Sequence, residues 1–319
     1  MINMSFKTGH VPDIPDPDDH SVTMDKMDMD VSVPNVFDIF GEPLNYQEKV
    51  FNQHQVNSCV TNAVAAAYLY ELQRQQVTLP NNYAPSRLFL YYVARYLRDQ
   101  TSKDFEEIKV YIPRGDEAMV VDGGCMPRDA IKIMKFLGAP REVASPDLYV
   151  PDSGTWPHDD NVKASVPVFD GAGKQIRLDF DKDDWPASVP DAACFANDKL
   201  HAALNYARPE MNSECWKRCI HKGYPVFFAI RELDSWYQWS RNPAATNFVS
   251  PVPLENEVSH GGHAMLIVGW DDSIGGTGCF KVQNSWGDNW GNKGFFWLPY
   301  EWLNVKGAIN DRWTFMKGS

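Results

Sequence analysis

No apolar run in this 319-residue chain approaches the length of a membrane span, and its first residues, MINMSFKTGH, lack the apolar core of a secretory signal. Basic residues are outnumbered: 30 Lys and Arg stand against 42 Asp and Glu, a formal charge of −12. That balance argues against nucleic acid or an anionic membrane surface as a partner. Cysteine is sparse as well. The six cysteines, at 59, 125, 194, 215, 219 and 279, are scattered through a chain large enough to fold without staples. These absences predict a monomer with free thiols in the reducing cytoplasm, with export by a route that leaves no signal as the alternative. What is present is the composition of an ordered globular protein, 44% hydrophobic and 13% aromatic.

Residues 1–45 are rich in Pro, Asp and Met, as in Pro12-Asp13-Ile14-Pro15-Asp16-Pro17-Asp18-Asp19 and Met24-Asp25-Lys26-Met27-Asp28-Met29-Asp30. Prolines every few residues forbid a regular helix, so this is an extended arm. Such a composition is ordinarily a solvated leader; laid across a cleft, residues 1–45 would instead be an intramolecular plug. From Asn52 to about Gln76 a helix is predicted, with Cys59 at or next to its first residue after the cap types Asn57 and Ser58. Backbone N–H groups and the helix dipole there favour thiolate. The plain alternative is a small hydrophobe packed under a helix; a reactive cysteine also needs a base.

A second helix opens at Ser86, with Tyr91 and Tyr92 as core. Gly123-Gly124 precedes a third, ended by Gly138; the pair is either a loop hinge or a place for another backbone to approach closely. Residues 99–121 read as a surface excursion. Between 139 and 200 only short pieces, 166–169 and 176–180, look like strands. A helix is expected over about 200–222, then a buried strand, Val226–Ile230. Cys215, Cys219 and His221 do not complete a four-ligand zinc set and read as packing groups; no metal or cofactor is expected.

The second cluster lies near the C-terminus. His263-Ala264-Met265-Leu266-Ile267-Val268-Gly269-Trp270 is apolar on both faces, a turn-rich loop follows, and Cys279–Asn284 resumes as a strand. With Trp270 set opposite Cys279, the hairpin brings His263 and Asn284 face to face within about two residues. Trp286 is then positioned to cover their contact from water. The other histidines, His10, His20, His54, His158, His201, His221 and His260, have no such context.

A capped helical cysteine, a strand histidine and an asparagine on the partner strand resemble the Cys-His-Asn constellation of papain-like cysteine proteases. The likeness includes Gln53 ahead of Cys59, Ser58-Cys59, Asn284-Ser285-Trp286-Gly287, Trp290-Gly291, Pro85–Tyr92 and Gly261-Gly262-His263-Ala264, and points to a subgroup without a signal peptide or a long helical prosegment. The resemblance implies an α+β fold of two subdomains within residues 46–319, mainly helical over 46–160 and antiparallel, β-barrel-like over 161–319, with a cleft between them. It implies Cys59 as nucleophile, His263 as base, Asn284 as its orienter and Gln53 as an oxyanion donor. Gly123 and Gly124 would lie along a polypeptide substrate, with Met126 and Trp286 also contacting it. Met126 and Ala264 would line an apolar pocket for the residue two before the cut. The implied activity is a cysteine endopeptidase working through a thioester; an exopeptidase, an acyl transferase or peptide ligase, and an inactive binding module are the alternatives. Two departures stand out: Val56 replaces a half-cystine and Val60 an aromatic. The cysteine-to-histidine separation also exceeds the roughly 130–150 residues usual for the family, so insertions are expected at 99–121 and 150–200.

Overall fold

The computed structural model describes residues 9–16, 19–22, 32–54, 56–79, 83–99, 123–143, 155–157 and 204–317. The expectations for residues 24–30, 100–121 and 158–200, including the strand-like pieces at 166–169 and 176–180, lie outside the described residues, as do Cys194, His158 and His201.

Helix α1 (Cys59–Arg74) contains neither Gly nor Pro and four alanines at 63 and 65–67, all favourable to helix. Every residue from Cys59 through Leu72 is buried, so α1 runs through the core and does not present an amphipathic face. Helix α2 (Arg87–Asp99) starts after Ser86, whose hydroxyl accepts the Phe89 N–H at 3.3 Å. Helix α3 (Pro127–Phe136) has Pro in its first turn and ends at Gly138, whose left-handed φ of 66° lets its N–H return to Ile133 O. These three helices pack together on one side of the molecule.

The other side is a sheet of β1 (Ser21–Val22), β5 (Leu204–Pro209), β10 (Ile309–Lys317), β6 (Val226–Leu233), β7 (Ser259–Asp271), β8 (Cys279–Gln283) and β9 (Phe295–Pro299), in that order. β2 (Val36–Asp38) pairs antiparallel with the end of β7. All other pairs in this sheet are antiparallel except β1 with β5. β3 (Arg141–Val143) and β4 (Thr155–Pro157) form a separate parallel pair. The architecture is α+β, with the start of α1 packed on β7.

Two expectations need correction. The helix expected from Asn52 begins only at Cys59, because Asn52 bridges to Trp286 and His54 takes a left-handed φ of 47°. The segment 200–222 is not one helix: Leu204–Pro209 is strand β5, and α4 (Ser213–His221) begins only after Asn212. Asn212 caps it, accepting from the Glu214 and Cys215 N–H groups at 2.8 and 3.2 Å. Pro209 can supply no helical N–H, and β5 is anchored between β1 and β10, so tertiary pairing overrides the helical reading. Cys215 and Cys219 on α4 hydrogen bond to each other. The five cysteines among the described residues are all free.

The hairpin forms with one refinement. Trp270 faces Phe280, one residue from the expected register; a bulge between Ile267 and Gly269 then brings Ile267 opposite Val282 and Leu266 opposite Gln283. His263 therefore emerges beside the turn that follows β8.

Candidate active site

Cys59 is the first helical residue of α1, as its sequence context predicts, and Ser58 holds the N-cap position. Ser58 does not cap by its side chain. Its hydroxyl accepts from Asn62 Nδ2 at 3.0 Å, and its carbonyl takes the Asn62 N–H at 3.0 Å and the Thr61 hydroxyl at 3.1 Å. The N–H groups of Ala264, Gly9 and Val60 lie against the sulfur and favour the thiolate. Full burial acts the other way and dominates, with the Glu232 carboxylate adding to it; the thiol is pushed up to about 12.

His263 lies on β7 opposite Ile230 of β6 and is fully buried. Its Nε2–H donates to Asn284 Oδ1 at 2.7 Å, which leaves the lone pair of the neutral ring on Nδ1. Nδ1 has no hydrogen-bond partner among the described residues. The next residue, Ala264, holds its N–H on the Cys59 sulfur, so the strand delivers imidazole and thiol to one place. Trp286 stacks on the imidazole, centroids 4.7 Å apart at 24°, and Trp236 adds a second ring at 5.9 Å. α5 (Asp234–Trp239) contributes Trp236 and Trp239, which together with Trp290 and Phe296 enclose the site in aromatic rings. Burial drives the His263 pKa down to about 4, against the Asn284 hydrogen bond, which raises it. Cys59 and His263 are thus both neutral in this covered form. The sequence alone suggested a thiolate at Cys59; that expectation presumes solvent or a substrate over the sulfur, where here there is protein.

Gln53 is drawn into the same turn. Its N–H donates to Ser285 O at 2.8 Å, the Ser285 hydroxyl donates to its Oε1 at 2.6 Å, and its Nε2 donates to Val56 O at 2.9 Å. Fixing Oε1 on Ser285 settles which way the amide faces, and Val56 ties it to the approach to α1.

The cover over Cys59 is the N-terminal arm. Gly9 N–H donates to the Cys59 sulfur at 3.3 Å, and His10 N–H donates to Gly262 O at 3.1 Å. Cys125 N–H donates to Gly9 O at 3.0 Å and Val11 N–H to Cys125 O at 3.1 Å, a parallel bridge. A side chain at Gly9 would overlap the Asn57 carbonyl, and one at Gly124 would overlap Gly9 O. The glycine pair is therefore a point of close backbone approach, with Gly124 at φ 76°. The edge itself is offered by Cys125, because the Gly124 N–H is taken by the Tyr91 hydroxyl at 3.0 Å. Gly123 is exposed, and Met126 is half-buried at the N-cap of α3.

Beyond Val11 the arm is anchored by charge. Asp13 accepts the Arg128 N–H at 3.0 Å and the Trp313 Nε1–H at 2.8 Å, and burial raises its pKa to about 6. Asp19 pairs with both Arg128 and Arg208. His10 Nε2 lies 2.7 Å from Asp311 Oδ2, with both side chains buried. Sequence reasoning overlooked His10, Cys125 and Asp311; the available signal was Gly9, the one glycine ahead of the Pro–Asp run. His260, the nearest rival to His263, instead pairs with Asp234 and stacks on Tyr237.

Comparison with known proteins gives a consistent picture. Residues 196–311, which carry His263 and Asn284, match the model of the papain family cysteine proteases. An uncharacterized peptidase C1-like protein of Acanthamoeba polyphaga mimivirus is 26% identical over 270 residues, 82% of this chain and 68% of the relative. The crystal structure of xylellain, a cysteine protease from Xylella fastidiosa, is similar with a TM-score of 0.67 and 26% identity, covering 98% of this chain and 96% of that one. Procathepsin B S9 from Trypanosoma congolense shares the fold, with a TM-score of 0.54 at 15% identity, over 91% of this chain and 79% of that one.

Proposed function

We propose that this chain, whose residues 196–311 match the papain family cysteine proteases, hydrolyses polypeptides as an endopeptidase through Cys59, His263 and Asn284, and that residues 1–45 hold it latent. The observation that carries this reading is the His263–Asn284 bond of 2.7 Å, roofed by Trp286, on the strand that places the Ala264 N–H on the Cys59 sulfur.

In the proposed reaction His263 Nδ1 takes the Cys59 proton and the thiolate attacks the scissile carbonyl carbon. Charge builds on the carbonyl oxygen, where the Cys59 N–H and the Gln53 amide donate; in related chemistry one such donor is worth about 2.7–4 kcal/mol. The imidazolium gives its proton to the departing amine as the C–N bond breaks, leaving a thioester. Water then attacks the thioester, His263 takes the water's proton, and collapse of that intermediate expels the sulfur as thiolate, which recovers the proton. Asn284 keeps the ring oriented throughout without adding charge.

The latency reading rests on the way the arm lies. A productive substrate must present a carbonyl carbon to the sulfur, whereas Gly9 presents an N–H. The arm fills the site without offering it a bond to cut. Its uninterrupted backbone from Gly9 past Cys125 supports a groove that needs no chain end on that side, hence the endopeptidase reading.

The test is a thiol-directed epoxide or vinyl-sulfone probe, with the modified residue mapped, together with hydrolysis of internally quenched peptides blocked at both ends. Labelling at Cys59, lost together with hydrolysis in Cys59→Ala, is the expected result. Hydrolysis that survives in Cys59→Ala would refute the assignment.

A further inference from the structure

The arm reports what the recess beside His263 accepts. His10 hangs its backbone on Gly262 O, and its side chain runs close enough that a Cβ on Gly262 would lie 2.6 Å from its Nδ1. The recess ends on a carboxylate, Asp311. Asp311 follows a register break in β10 between Ile309 and Asp311, and its side chain is 3% exposed.

The two oxygens of Asp311 have different partners. Oδ2 meets His10 Nε2 at 2.7 Å and accepts the Asp13 N–H at 3.1 Å; Oδ1 lies 3.4 Å from Arg208. Both described partners of Oδ2 belong to the arm. When the arm leaves, Arg208 stays with Oδ1, and Oδ2 faces the vacated recess. A buried carboxylate oxygen stripped of its donors is costly, and a cationic N–H donor that takes their place recovers that cost. Arg208 also loses Asp13 and Asp19 when the arm leaves, and its contact with Asp311 is to Oδ1, not to Oδ2.

Resting on the peptidase reading above, we propose that Asp311 is a specificity-determining residue that selects a basic side chain at one of the two substrate positions before the cut. His10 is then a stand-in for the substrate side chain, held on a backbone that cannot be cleaved. Lys, Arg and protonated His are the candidate occupants; an acidic side chain would meet like charge.

The full-length enzyme is assayed on internally quenched peptides identical except for Lys, Arg, His, norleucine or Glu at each of the two positions. Occlusion by the arm scales kcat/KM alike for all of them and cancels in the ratios. At one position Lys or Arg should exceed norleucine by about tenfold or more, with Glu lowest, and Asp311→Asn should reduce that ratio by about tenfold or more whatever the absolute rates. Preference for norleucine over every basic residue at both positions would overturn the inference, and so would a ratio unmoved in Asp311→Asn. If that variant does not fold, the wild-type series decides alone. Failure to cleave any peptide, with no probe labelling at Cys59, would remove the peptidase reading and this inference with it; cleavage with the wrong ratios removes the inference only.

Discussion

Replacing Gly9 by alanine tests the cover over Cys59 with a single methyl group placed outside the proposed catalytic residues. A Cβ at this position would fall within the Asn57 carbonyl, with Asn57 Cα only 2.8 Å away. All of these are backbone atoms at the approach to α1, so no flexible side chain can swing aside. The arm must lift, losing the Gly9 N–H to sulfur contact and the Cys125 N–H to Gly9 O bond. At about 0.5–1.5 kcal/mol net for each, the two together come to about 1–3 kcal/mol, or an increase of about 5- to 150-fold in the uncovered population. The His10, Asp13 and Asp19 anchors remain, so displacement is partial. The assay is the rate of Cys59 alkylation by iodoacetamide at fixed pH, with Cys59→Ser defining the background. Under slow labelling this rate follows the uncovered fraction, and it should rise within the stated range, with peptide hydrolysis rising in parallel. An alkylation rate equal to that of the wild type would refute the idea that the arm seals the thiol.

Gln53→Ala should lower kcat by about 10²–10³-fold while changing KM far less, since its bond to the oxyanion forms in the transition state; an effect confined to KM would sink the oxyanion role. His263 is held near 4 when folded, against about 6.5 in an unfolded chain, so its contribution to stability is fully present above pH 6.5 and is lost as pH falls through 4. Urea unfolding of the wild type and His263→Gln should therefore show a stability difference that shifts by about 3 kcal/mol between pH 7 and 4; parallel pH curves would contradict it. Trp286→Ala, which removes a ring that is 6% exposed from the roof over His263, should cost about 3–5 kcal/mol of unfolding free energy, and Trp286→Phe should restore part of this.

Much of the site was legible because its residues sit in local contexts with strong physical signatures. Cys59 follows cap types and precedes a Gly- and Pro-free run of small residues, and α1 begins there. The apolar run from His263 to Trp270 and the turn after it read as a hairpin, and the hairpin delivered His263 to Asn284. Trp286 over the imidazole followed from the same pairing. What stayed hidden depended on contacts between distant segments. His10 is one more histidine in a polar leader until the fold brings β10 and its Asp311 to it. Cys125 offers its backbone, which no sequence pattern advertises, and it does so because Tyr91 occupies the neighbouring N–H. β5 was misread because Leu204–Pro209 gains its partners only from β1 and β10. The protonation of the site was misjudged for the same reason: an arm lying on the sulfur changes its solvent, and solvent decides charge.

The bulge in β7 acts as a counting device. Above it the hairpin runs with Gly269 opposite Lys281; below it the pairing is displaced by one, with Ile267 opposite Val282. Side chains alternate faces along a strand, so one residue of displacement is a change of phase, not merely of position. Were the bulge straightened with Val268 kept, the upper register would run through to the end of β7 with Val268 opposite Val282, and every residue below it would turn to the opposite face. His263 would then point away from Asn284 although Cys59, His263 and Asn284 were all still present. The phase that sets His263 against Asn284 is thus stored in one extra residue next to Gly269, where β2 leaves no room for a side chain.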